Sequence, residues 1–237
     1  MPITRAARRI LYTDPTMAGL IAAAGPYRPP HERTLHSPFQ SLARAIAHQQ
    51  LNGIAAERIL GRFVALFAPA SFPEPRQVLA ADDARLRAVG FSFAKIKSLK
   101  DLAAKAIVGI VPSGDELSLL TDAEIIERLT AVRGIGRWTV EMLLMFQMQR
   151  PDVLPVDDFG VRTGFRLAYG LKGMPTPKAL AEFGERWKPH RSIAAWYLWR
   201  AVELARLGSL PRCRRPPRIA LQAVARKRAR PRRSSKA

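Results

Sequence analysis

The sequence predicts an all-α fold. Nearly every segment carries its apolar residues at helical spacing, and cap and stop residues divide these segments at short intervals. Stretches apolar enough for a strand, such as Ala106–Val111, are short and isolated, which does not suggest a sheet. No repeat of solenoid period is present.

In order, the helices are expected at 15–24, 39–50, 53–67, 75–81, 82–88, 92–107, 122–132, 137–149, 158–169, 177–187 and 191–207. Asn52 can cap the third and Gly90 can close the fifth. Thr121 with Glu124 is a capping-box start, followed by an apolar stripe of Ile125, Ile126, Leu129 and Val132. The next helix follows Gly134-Ile135-Gly136 and presents Trp138, Met142, Met145 and Phe146 at helical spacing. Either Asp157 or Asp158, after Pro155, can cap the helix entered at Phe159, where a helix N-terminus would keep a carboxylate ionised. Thr176-Pro177 pairs a cap with a first-turn proline, and Gly208 can terminate the last helix.

At 237 residues and 48% hydrophobic content, the chain can bury a sizeable core as one large or two small domains. Cys213 is the single cysteine, which excludes an intramolecular disulfide, a cysteine-held zinc site and an iron–sulfur cluster. The apolar stretch Met17–Gly25 is too short to span a bilayer, and Asp14-Pro15 interrupts the signal-like region after Arg5, Arg8 and Arg9. A soluble, intracellular protein is expected.

Lysine and arginine total 39 against 19 acidic residues, for a net charge of +20. Residues 208–237 hold 11 basic residues and no acid, so the preceding 207 residues keep 28 basic against 19 acidic, or +9. A basic body with a more basic tail suits a polyanion. The tail is rich in Pro, Ser and Arg, and is expected to be mostly disordered. It reads equally as a localisation or solubility extension and as a DNA-contacting arm.

The turn Gly134-Ile135-Gly136 opens a helix, and outward N–H groups at such a start suit a phosphate oxygen. Binding of that kind carries no sequence information. On spacing alone, an ordinary helix–turn–helix corner explains the glycines as well. Asp157-Asp158 lies 22 residues beyond Gly136, far enough for one helix and a return loop to bring the carboxylates to the same face.

Five blocks in order carry a family resemblance: 39–59 (FQSLARAIAHQQLNGIAAERI), 86–103 (LRAVGFSFAKIKSLKDLA), 132–144 (VRGIGRWTVEMLL), 154–162 (LPVDDFGVR) and 186–200 (RWKPHRSIAAWYLWR). Together they resemble the helix-hairpin-helix DNA glycosylases, in the 3-methyladenine DNA glycosylase II branch, over about Phe39–Leu207. The resemblance implies two helical domains with a DNA-facing cleft between them, in the compact form that lacks an N-terminal β domain. One domain would comprise 1–37 and 151–207, the other 38–150 with the hairpin, followed by the basic tail 208–237.

The resemblance also distributes roles. The family's catalytic aspartate stands three residues before an aliphatic helix residue, here Val161, which selects Asp158 and leaves Asp157 as a cap-region residue. Leu51 takes the place of the wedge that fills the gap left by a flipped base, although from the sequence alone it reads as a hydrophobic staple ahead of Asn52. Trp138 and Trp199, with Phe159 and Trp196 behind them, are candidates for the base pocket, because a cationic base is drawn to aromatic faces. Trp187 is left in the core. Gly134, Ile135, Gly136, Thr139 and Gln50 are assigned to DNA contact. His48, which replaces the family's usual small residue, is either a DNA contact or a plain surface histidine.

The implied reaction is monofunctional base excision from double-stranded DNA. Alkylated purines such as 3-methyladenine or 7-methylguanine leave readily, and a carboxylate stabilises the oxocarbenium character at C1′. Family members that also cut the strand place a lysine where this chain has Trp138, so no lyase step is expected. No cofactor or catalytic metal is expected, although the family can hold a structural monovalent cation on the hairpin carbonyls. A monomer is expected. Two alternatives stay open: a glycosylase for deaminated or mismatched bases, and a non-catalytic helix-hairpin-helix DNA-binding protein.

Overall fold

The computed structural model describes residues 4–29, 36–213 and 217–221. Thirteen α-helices lie among these residues, and the only β pairing among them is one antiparallel bridge, Pro175 to Leu221. The chain divides into two units, one from Met1–Arg28 with Leu154–Ala237 and the other from Pro29–Val153.

The discontinuous unit contains α1 (Arg5–Leu11), α2 (Pro15–Ala24), α11 (Phe159–Ala168), α12 (Pro177–Gly184) and α13 (Arg191–Arg206). Its core is aromatic. Phe165 stacks on Tyr169 with centroids 4.4 Å apart, and Phe183 and Trp187 meet edge to face at 5.5 Å. Trp187 is fully buried, as the sequence reading placed it. Under this cluster the buried Asp14 caps α2 through the amides of Thr16 and Met17, and accepts the Tyr169 hydroxyl at 2.5 Å. Burial, reinforced by the Asp14 charge, holds the Tyr169 hydroxyl well above the usual phenol range. Helices α11 and α13 pack closely at Gly164, where any Cβ would run into the backbone carbonyl of Leu198.

The continuous unit contains α3 (Pro38–His48), α4 (Gly53–Ala65), α5 (Pro75–Ala80), α6 (Asp83–Ala88), α7 (Phe93–Ile107), α8 (Gly114–Leu119), α9 (Asp122–Thr130) and α10 (Arg137–Met142). Helix α7 is its axis, packing against α3, α5 and α6. The ring of Phe63 meets Phe67, Phe72 and Phe91 edge to face beside it.

The structure departs from the sequence expectations in several places. Helix α1 forms because Thr4 caps it through the Ala7 amide. Helix α8 forms on a capping box of Ser113 and Glu116, the same pattern recognised at Thr121. The helix expected over 137–149 is α-helical only to Met142 and continues as a π turn over Leu143–Gln147. The basic tail is ordered at its start. Polar contacts tie it down there, with Cys213 Sγ 3.4 Å from Thr16 Oγ1 and the Thr176 amide bonded to the Ala220 carbonyl at 3.1 Å. The rest of the tail expectation falls on residues 214–216 and 222–237, outside the described residues. No helix among the described residues is long and apolar enough to cross a membrane.

Candidate active site

Asp158 is the N-cap of α11. Its Oδ1 accepts the Val161 amide at 2.6 Å and the indole Nε1–H of Trp199 at 2.8 Å. Two donors from different helices therefore fix the carboxylate, one local and one from α13. Gly160 makes room for this pair: a Cβ there would lie 2.8 Å from Trp199 Cδ1 and 3.1 Å from Asp158 Oδ1. The close α11–α13 contact at Gly164 sets the distance between the two helices. Asp157 is exposed and Asp158 half-buried. Of the two aspartates, only Asp158 has its side chain on the helix start.

The hairpin lies in the other unit. Gly134 takes φ +78°, a left-handed conformation that a side chain resists, and a Cβ there would sit 2.7 Å from Ser98 Oγ. Gly136 is the N-cap of α10 and has no side chain to satisfy the first amides of the helix. The neighbouring backbone is anchored by side chains. The Arg133 amide donates to Asp101 Oδ2 at 2.7 Å, and Gln49 Nε2 donates to the Gly134 carbonyl at 2.8 Å. Lys105 Nζ bonds both Asp101 oxygens at 2.6 Å. Burial pushes the Asp101 carboxyl up, but the Arg133 amide and Lys105 outweigh it and hold the group below the usual carboxylate range.

The segment between α3 and α4 carries the wedge candidate. α3 ends at His48, two residues earlier than expected, and Gln50 adopts φ +58°. That break frees Leu51, which is 40% exposed on the surface, while Asn52 caps α4 through the Ala55 amide at 2.8 Å. A depression of about 730 Å³ opens beside this segment, lined by Arg44, His48, Gln50, Trp138, Thr139 and Phe146 among others. Gly134 is on its wall. His48 pairs with Glu57 at 2.9 Å, so it has an acidic partner at the surface.

The aromatic candidates separate. Trp138 is half exposed on the wall of the depression, and Phe159 is 75% exposed beside Asp158. Trp199 is a hydrogen-bond partner of the carboxylate. Trp196 is buried edge to face against Tyr27 and Tyr197 in the core of its own unit. Ile135 buries its side chain, so only its backbone can meet a partner. Sequence reasoning passed over Gly160 and Gly164, whose four-residue spacing on one helix was the available signal. It also passed over Gln49, Ser98 and Asp101, for which no local pattern exists.

The family model of the HhH-GPD superfamily base excision DNA repair proteins matches residues 43–190, which include the hairpin and Asp158. This chain belongs to that superfamily. The HhH-GPD protein is 40% identical over 203 residues to DNA-3-methyladenine glycosylase 1 of Schizosaccharomyces pombe, covering 86% of this chain and 89% of the relative. The solved structure of the S. pombe 3-methyladenine DNA glycosylase with abasic DNA superposes with a TM-score of 0.74, covering 85% of this chain and 98% of that one. A DNA-3-methyladenine glycosidase structure from Bacillus halodurans gives a TM-score of 0.76 at 34% identity, covering 86% of this chain and 92% of that one.

Proposed function

We propose that this HhH-GPD protein is a 3-methyladenine DNA glycosylase of base excision repair, hydrolysing the N-glycosidic bond of alkylated purines flipped out of duplex DNA. The observation that carries the reading is the carboxylate of Asp158, fixed at a helix start by Val161 and Trp199 in a protein that also bears the glycine hairpin. The named relatives and the abasic-DNA complex of one of them support the substrate class.

Removing a base from the stack costs a few kcal/mol, on the order of what one apolar wedge and a phosphate grip can offset. Leu51 fills the vacated space, and the backbone amides at Gly134 and Gly136 hold the strand. Phe159, next to Asp158 in the chain and 75% exposed, offers an aromatic face to a cationic base. As the glycosidic bond stretches, positive charge grows at C1′, and the oriented carboxylate of Asp158 stabilises it. Water then completes hydrolysis. Trp138 supplies no amine where strand-cutting relatives have lysine, so the product is an intact abasic site. The carbonyls of Val132 and Gly134 each accept one hydrogen bond and keep a second lone pair, which suits a structural monovalent cation at the hairpin. Such an ion would steady the turn and take no chemical role.

The test is incubation with methylated duplex DNA and chromatography of the released bases. Free 3-methyladenine or 7-methylguanine is the expected result; release of uracil or hypoxanthine from matched duplexes in its place would transfer the activity to deaminated bases.

A further inference from the structure

A single hydrogen-bonded chain runs from the wedge segment through the hairpin to α7. Gln49 Nε2 donates to the Gly134 carbonyl at 2.8 Å. The amide of that same peptide group, on Ile135, donates to the Val132 carbonyl at 3.0 Å. The amide paired with that carbonyl, on Arg133, donates to Asp101 Oδ2 at 2.7 Å. Every dipole in the series points the same way and ends on a carboxylate, the arrangement in which neighbouring bonds polarise one another. α7 also holds the last turn of α3, which leads into the wedge segment: Lys95 Nζ donates to the Ala47 carbonyl at 2.7 Å. Ser98, between Lys95 and Asp101 on the same helix, fills the space under Gly134.

From this chain we infer that Gln49 and Asp101 are positioning residues that couple wedge insertion to the hairpin's grip on the strand. The inference rests on the wedge and hairpin roles in the reading above. Gln49 directly precedes Gln50, whose left-handed backbone turns the chain toward Leu51. Its side chain is therefore the link between the position of Leu51 and the peptide groups that present the hairpin amides. Asp101 fixes those peptide groups from the opposite end. A strand phosphate held at the hairpin and a base gap filled by Leu51 are then read as one geometry. A bound duplex lacking that spacing can satisfy one and not the other.

The experiment uses the full chain and a duplex with a tetrahydrofuran abasic analogue opposite 2-aminopurine, whose emission rises when Leu51 unstacks it. Gln49→Met and Asp101→Ala each lower affinity for this duplex by about 5- to 10-fold, the usual effect of losing one such hydrogen bond. Both also cut the emission rise, although Asp101 is remote in sequence from the wedge. Asp101→Asn, which keeps an acceptor for the Arg133 amide, recovers part of the loss. The double variant is no weaker than the poorer single one, because either break releases the same turn. An emission rise at wild-type level in Asp101→Ala, or single effects that multiply, overturns the inference. If Asp101→Ala does not fold, Gln49→Met decides by hydrogen exchange: it speeds exchange of the Arg133 amide, and unchanged exchange overturns the coupling. Wild-type protein that binds the abasic duplex but releases no methylated base defeats the glycosylase reading and leaves this coupling standing.

Discussion

The indole of Trp199 donates its one hydrogen to Asp158 Oδ1, the oxygen that also receives the Val161 amide. A tryptophan expected to border the base therefore orients the Asp158 carboxylate, and its ring and its N–H have separable uses. Asp158→Asn is expected to abolish base release while leaving duplex affinity near wild type. Trp199→Phe keeps an aromatic face and loses the donor. Its single-turnover rate on methylated DNA should fall by about 10- to 100-fold, in keeping with the loss of one orienting hydrogen bond at a reacting centre. A rate within twofold of wild type would mean that the bond has no part in catalysis.

Gly160→Ala is the sharper steric test. A methyl at that position meets Trp199 and Asp158 at once, so one of them must shift. Base release should drop at least as far as in Trp199→Phe, with little change in the thermal midpoint, since the site is half-buried and outside the aromatic core. A fully active alanine variant would show that the pair tolerates displacement.

Affinity for undamaged duplex should fall linearly with salt on logarithmic axes, with a slope set by the number of phosphates neutralised. Gly134→Val places a β-branched side chain at a left-handed position against Ser98 Oγ. Binding should weaken by about 10-fold or more across the whole salt range, consistent with ~1–3 kcal/mol of backbone strain. Equal affinity of variant and wild type would remove the hairpin from the interface.

Acid should loosen the hairpin. Asp101 has a depressed carboxyl in the folded state, so its contribution is complete above its unfolded value of about 4 and is lost as pH falls through the lower folded value. Hydrogen exchange at the Arg133 amide, corrected for intrinsic rate, should stay slow through neutral pH and accelerate below about pH 4. In Asp101→Asn the acceleration should be absent, and its persistence there would assign the acid response to another group.

At high pH the other unit should respond. The raised hydroxyl of Tyr169 contributes stability that is fully present below the unfolded tyrosine value of about 10 and is lost above it. Tyr169→Phe removes a charge-assisted bond to buried Asp14 and should cost about 1.5–3 kcal/mol at neutral pH. Its alkaline loss of stability should be smaller than that of wild type, as read from denaturant unfolding at pH 8 and pH 11.

The sequence made the all-helical class readable because caps are local: Asn52, Thr121, Asp158 and Thr176 each bond the amide three residues on. Ser113 and Glu116 obey the same rule, and α8 was legible to anyone applying it there. Asp158 was separable from Asp157 only through family resemblance, since either can cap. The partners that give the sites their shape were not legible. Trp199 reaches Asp158 across 41 residues of sequence, and Gln49 reaches Gly134 across 85. Such pairings are decided by how helices pack. The π turn at Leu143–Gln147 was likewise hidden, because its residues keep the apolar spacing of an ordinary helix.

The contact between Gly164 and the Leu198 backbone has a consequence for how this protein can diverge. Two helices that touch through bare backbone leave no slack for one to slide or tilt against the other, so the acid and its indole partner are inherited as a fixed block. Variation in which lesions are accepted must then accumulate at side chains outside that block. Phe159 is such a place: it is 75% exposed yet set between the two constrained residues Asp158 and Gly160. A library randomised at Phe159 and Trp138, with 158, 160, 164 and 199 held constant, should yield altered base preference at a far higher frequency than loss of activity.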